Sequence, residues 1–226
     1  MFDKNDEPIY LYRTIQDITE KREMEKLLSY NSTHDEITGL PNRVYFKKQL
    51  EYRFQISRDT QTKFSLMMLD VDGLKYINYA LDYEIGHKII VKIVNRLRNF
   101  LGENVFISRY SDDHFAIIID EQKTNEELDD IAKGIISLFK SPYMVQAYEV
   151  DIFVNIGISI YSKDVEDADS FRKQAKTALL RAKRDGKNTY SFYSSDLDIQ
   201  NYKEFTLKND LHHAIENERL RVYYQP

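Results

Sequence analysis

The sequence predicts an α/β sandwich, and three observations carry that reading. Helical and strand-like apolar periodicities alternate between residues 34 and 194. The run FSLMMLDVD (64–72) is continuously apolar and ends in acids, as a central strand with a functional edge does. NVFISRY and FAIIID flank Ser111-Asp112-Asp113-His114 in the manner of a β-hairpin.

Taken in order, residues 8–14 (PIYLYRT) are short, apolar-aromatic and strand-like. Asp17-Ile18-Thr19-Glu20 then opens a helix that Asp17 or Thr19 can cap, with the following acids suiting its positive end. Ile18, Met24, Leu27 and Leu28 form one apolar stripe up to about Ser32. The stripe reads as a signalling or dimerisation stalk placed ahead of a domain, with an ordinary amphipathic helix as the alternative. A helix follows the Leu40-Pro41-Asn42 turn from Arg43 to about Ser57, and the 64–72 strand comes next. Ile85, Ile89, Ile93 and Leu97 recur every four residues in a helix over 81–101 that ends at Gly102. After the hairpin come a helix at 124–140, a strand at 148–161, a helix at 170–184 and a last strand at 189–193. The order is α-β-α-β-β-α-β-α-β, with hairpin and crossover connections and no internal repeat. From about 196 a further helical pattern (Leu207, Leu211, Ile215) leads into a strand-like 220–226.

Composition narrows the class. The 226 residues are 42% hydrophobic and 31% charged, which suits a packed globular chain rather than a disordered one. No apolar run approaches the ~18 residues of a membrane span, and the N-terminus does not read as a signal peptide. The absence of cysteine excludes thiolate chemistry and fits a reducing, cytoplasmic setting. A net charge of -5 without a dense basic stripe argues against a nucleic-acid surface.

Asp70 and Asp72 close the central strand and Asp113 lies at the hairpin tip. If those strands are neighbours, carboxylates from both converge on one sheet edge, where with a phosphate they suit Mg²⁺. Solvated strand ends are the plainer alternative. Gly73 allows backbone amides close to an anion, and Lys75 can neutralise a phosphate.

The motifs together resemble the GGDEF family. His34 to Arg43 (HDEITGLPNR) is similar to its HD-x-LTGLPNR entry, and LMMLDVDGLKYIN (66–78) to its DxDxFKxIN segment. SRYSDDHF (108–115) falls where the family has RYGGDEF; NIGIS (155–159) resembles SxGIS, and ALLRAKRDGKN (178–188) resembles ALYxAKxxGRN. The resemblance implies a nucleotidyl (adenylyl) cyclase-like fold, a central mostly antiparallel sheet flanked by helices. It also implies homodimers and kinship with enzymes that condense two GTP into cyclic di-GMP. By position, Asp70, the Val71 carbonyl and Asp113 match the metal ligands, for Mg²⁺. Gly73, Leu74, Lys75, Lys183 and Lys187 match the triphosphate cradle, and Asn78 matches a guanine reader.

The departures are concentrated. Ser111, Asp112, Asp113, His114 and Phe115 stand for GGDEF, so two glycines gain side chains, Asp112 adds negative charge beside the phosphates, and the acid becomes His114. His87 replaces the second guanine-reading residue, an Asp. The RxxD product site reads Gly102-Glu103-Asn104-Val105, and Arg109 is expected as a structural strand residue. His114 with Asp70 and Asp113 could instead hold a transition metal, against the commoner reading of a hairpin-tip histidine. The other four histidines show no metal-ligand spacing.

Residues 8–20, ending in Asp17-Ile18-Thr19-Glu20, are similar to the last strand and DIT exit of a PAS-like sensor. The chain then divides into a sensor remnant at 1–16, the stalk at 17–33, the GGDEF domain at 34–194, and at 195–226 a linker and the LxxYYQP opening of an EAL phosphodiesterase domain. The expected function is therefore a regulatory, degenerate GGDEF domain that binds GTP or another nucleotide for an attached EAL domain. A ligand-free dimerisation scaffold and an active cyclase with a divergent motif are the alternatives.

Overall fold

A computed structural model of the chain describes residues 16–120 and 123–217. The strand expected at 8–14 and the EAL-like opening at 220–226 lie outside these residues. The elements are α1 (Thr19–Thr33), α2 (Arg43–Thr60), β1 (Ser65–Asp72), α3 (Leu74–Ala80), α4 (Tyr83–Leu101), β2 (Phe106–Arg109), β3 (His114–Ile119), α5 (Asn125–Ser137), β4 (Tyr143–Val145), β5 (Tyr148–Val150), β6 (Phe153–Ile160), α6 (Ala168–Asp185), β7 (Thr189–Phe192) and α7 (Ser195–Glu216).

Five strands form one sheet in the order β2-β3-β1-β6-β7, and β4 with β5 makes a separate two-stranded ribbon. Every pair in the main sheet is antiparallel except β6 with β7, which α6 joins as a crossover. The cyclase-like, mostly antiparallel sheet flanked by helices is thus the observed architecture.

β1 is central and buried on both sides, which is why its sequence is continuously apolar rather than alternating. Its side chains divide by the two-residue period between two cores. Leu66 and Met68 pack with Phe46, Leu50 and Phe54 of α2 and Phe171, Ala175 and Leu179 of α6. Met67, Leu69 and Val71 pack with Ile89, Ile93 and Leu97 of α4 and Leu128, Ala132 and Ile135 of α5. Asp70 has the parity of Leu66 and Met68, so it ends on the α6 side of the sheet.

Local chemistry sets several boundaries. The Asn42 side chain accepts hydrogen bonds from the Val44 and Tyr45 amides and starts α2. Thr124 and Glu127 form a reciprocal capping box on α5. The α1 helix begins at Thr19, whose amide is held by the Asp17 carboxylate.

Two expectations are corrected. The single strand at 148–161 is two, β5 and β6, separated at Asp151 and Ile152, and β5 turns back on β4 through Gln146 in the left-handed region. Alternating apolar residues run through the break because Ile152 is itself buried in the core. A short helix, α3, also precedes α4. Only Leu74 and Ile77 of its seven residues are buried, too few to establish a period.

Candidate functional site

Antiparallel pairing of β1 and β3 sets Asp70 directly across from His114, and the Val71 amide donates to the Asp113 carbonyl at 2.8 Å. The acids of the strand end and the hairpin tip therefore do converge, but around the histidine. His114 Nε2 lies 2.9 Å from Asp70 Oδ2, and its Nδ1 lies 2.6 Å from Asp113 Oδ1. Ser111 Oγ is 3.1 Å from the same Nδ1. Lys183 reaches over from α6 and donates to Asp70 Oδ2 at 2.7 Å.

Ionised carboxylates only accept hydrogen bonds, so a ring with both nitrogens on carboxylates must donate from both and is an imidazolium. Its pKa is accordingly raised from 6.5 to about 9, chiefly by the hydrogen bond to Asp113 and then by that to Asp70, against the effect of burial. Burial works to raise the Asp70 pKa, yet the bonds from His114 and Lys183 outweigh it and hold the carboxyl below its usual range. Asp113 is lowered mainly by His114. Asp72, by contrast, is exposed at the strand end.

These residues do not fit a magnesium ion as they stand. Asp70 Oδ2 already takes two N–H donors and Asp113 Oδ1 a third, so the acids already carry cationic partners, and a magnesium ion using those two oxygens would have to displace them. A transition metal meets the same obstacle, because His114 with both nitrogens protonated offers no lone pair.

The hairpin keeps its shape without glycine. The Tyr110 amide donates to the His114 carbonyl at 2.8 Å, closing a three-residue tip. Neither Ser111 nor Asp112 has a positive φ, so the two side chains are accommodated without left-handed backbone. Phe115 is fully buried and belongs to the core rather than the site.

Arg109 is the strand residue expected, and it does more than fill space. Buried to 7% exposure, its Nη1 donates to both oxygens of Asp35 at 3.0 Å, and its Nη2 donates to the Asp112 carbonyl at 3.1 Å. Asp35 also accepts from the Thr38 amide and hydroxyl. The HDEITGLPNR entry segment is thereby tied to the hairpin tip. Sequence reading missed this role for Asp35, although an acid in a turn segment and a buried-strand arginine were its two visible halves.

A cleft of about 390 Å³ opens beside the tip, lined by Lys75, Asn78, Tyr79, His87, Asp112 and Asp113 among others. Leu74, Lys75 and Asn78 all lie in its lining, and Gly73 at φ 101 starts α3 beside it in the chain. Asn78 turns its Oδ1 against Gly86, where that atom is buried with no hydrogen-bond partner among the described residues. Lys187 places its Nζ 4.1 Å from the centre of the ring of Phe153, the cross-strand neighbour of Asp72 at the end of β1. A second cleft, about 450 Å³, includes Gly102, Glu103, Asn104 and Val105 but no arginine in its lining.

This sheet, with hairpin β2–β3 presenting acids beside the end of β1, defines a nucleotidyl-cyclase-type α/β domain. A family described as "Diguanylate cyclase, GGDEF domain" matches residues 32–189, and the chain belongs to it. It is 28% identical over 193 residues to the bifunctional diguanylate cyclase/cyclic di-GMP phosphodiesterase MucR of Pseudomonas aeruginosa, covering 85% of this chain and 28% of that protein. The cyclic di-GMP phosphodiesterase NbdA of the same organism is 25% identical over 193 residues, covering 85% of this chain and 24% of NbdA. The chain thus spans about a quarter of these relatives. Among solved structures, the GGDEF domain of TpbB (YfiN) from Pseudomonas aeruginosa superposes with a TM-score of 0.68 at 25% identity, covering 73% of this chain and 96% of that one.

Proposed function

We propose that this chain is a regulatory GGDEF domain of cyclic di-GMP signalling that does not itself make cyclic di-GMP. It takes GTP or a related nucleotide in the cleft beside Lys75 and Asn78 and transmits that state to an attached EAL phosphodiesterase domain. The observation that carries the reading is the ion-paired His114 between Asp70 and Asp113, the carboxylates to which the family resemblance assigns the metal. A cyclase needs those oxygens free for cations that steady a developing charge. Two features add support. Side chains at Ser111 and Asp112 occupy the tip, and His87 faces the cleft where the family has an acid. Guanine presents two adjacent donors, which a carboxylate accepts together and an imidazole does not.

Incubation of the chain with GTP and Mg²⁺ or Mn²⁺, followed by chromatography, is expected to yield no cyclic di-GMP. Formation of product would overturn the reading. Calorimetry with GTP and ATP tests the ligand part, which fails if neither binds.

A further inference from the structure

We propose that His114, assisted by Lys183, serves as a built-in organic cation that closes the Asp70/Asp113 site to divalent metal, and that His114 is the decisive one of the two. The inference deepens the functional reading above and rests on the same site, but it concerns cation binding rather than turnover. Directly opposed residues on antiparallel strands have their side chains in contact, and like charges there repel. An acid at position 114 would face Asp70 across the ladder with Asp113 beside it, and three carboxylates would need a cation to sit together.

In this chain the cation is covalently attached. The imidazolium spans the two carboxylates with one N–H on each, and the Lys183 ammonium takes a further share of Asp70 Oδ2. Asp70 is 5% exposed and both donors fall on its Oδ2, so much of its charge is met inside the protein. A metal entering would meet these two positive charges, and to use Asp70 Oδ2 it would have to expel the imidazole and compete with Lys183.

The backbone that would present a metal site is nevertheless intact. The β1–β3 register holds and the Val71 amide is bonded to the Asp113 carbonyl. His114→Glu is therefore expected to open the site. Mn²⁺ alone is the probe, followed by electron paramagnetic resonance and by thermal melting of the full chain with and without the ion. Wild type is expected to show no saturable Mn²⁺ binding and no shift in melting temperature. His114→Glu is expected to bind Mn²⁺ at least tenfold more tightly and to melt higher when it is added, because a ligand that binds only the folded state stabilises it. Adding Asp70→Asn should abolish both effects.

His114→Ala provides the second variant: it removes the plug without a third acid and should bind Mn²⁺ more tightly than wild type. Wild-type binding equal to that of His114→Glu, and lost with Asp70→Asn, would overturn the inference. So would folded His114→Glu and His114→Ala proteins that both leave Mn²⁺ unbound. The two ideas fail separately: wild type that binds Mn²⁺ without making product sinks only this one, and product without Mn²⁺ binding sinks only the functional reading.

Discussion

At the scale of single residues, charge pairing decides what the site can do. The groups facing His114 are Asp70, Asp113 and Ser111, with Lys183 acting through Asp70 and Lys75 through Asp113. Its folded pKa, about 9, lies above the unfolded value near 6.5, so the folded protein binds the proton more tightly. That stabilisation is fully present below the unfolded pKa and is lost as pH rises through about 9. Urea melts of wild type and His114→Gln between pH 6 and 10 should show a gap that is widest at the acidic end and closes above pH 9. A gap that widens with pH would contradict the ion-pair geometry. Arg109 and Asp35 supply a second test. Asp35→Asn leaves a buried guanidinium without its counter-charge, and removing one partner of such a pair costs on the order of 3 kcal/mol. Denaturant melts should show that loss, and proteolysis should find the 111–113 tip more readily cut, since Arg109 also holds the Asp112 carbonyl.

At the scale of elements, β6 and α6 pack backbone against backbone. A Cβ on Gly157 would lie 2.1 Å from the Ala175 carbonyl oxygen and 2.2 Å from the Leu179 amide nitrogen. Backbone cannot yield as a side-chain end can, so Gly157→Ala must lift α6 off the sheet. Overpacking of a core costs about 1–3 kcal/mol, and this backbone clash is expected at the upper end. Thermal melting measures the loss. Because α6 carries Lys183, the Asp70–Lys183 bond should weaken with it. The same glycine belongs to the NIGIS motif, whose Asn155 is also structural: its amide donates to the Gly186 carbonyl at 2.6 Å and to Thr189 Oγ1 at 2.9 Å, fastening the end of α6 to β7.

For the whole molecule, α1 and α7 touch the sandwich through α2 and α6 but, among the described residues, keep apolar side chains uncovered. Met24, Leu27 and Leu28 of α1 are each at least 60% exposed, and Leu207 and Ile215 of α7 are similarly open. The stripe read as a stalk is thus free to meet another surface, and a second copy of the chain is the partner that the family resemblance suggests. Leu28→Glu is expected to leave the melting temperature of the domain nearly unchanged, because the side chain makes no core contact. It should shift self-association, followed by analytical ultracentrifugation, to higher concentration. An unchanged association constant would remove α1 from the interface.

The sequence by itself determined the sandwich, the succession of its main helices and strands along the chain and the family, because each rests on patterns local in the chain. The apolar run of β1, the four-residue period of α4 and the motif spacings all survive without knowledge of contacts. It also located the convergence of Asp70 and Asp113, conditional on β1 and β3 being neighbours. Tertiary structure alone decided what lies between those acids. His114 is legible in sequence as a missing ligand, but its role as a bridging cation depends on a cross-strand register and on a lysine 113 positions away from Asp70. The same holds for Asp35 and Arg109, 74 residues apart. Charge pairing over such separations leaves no periodicity in the chain, so only the folded geometry turns a decayed motif into a site held shut by its own side chains.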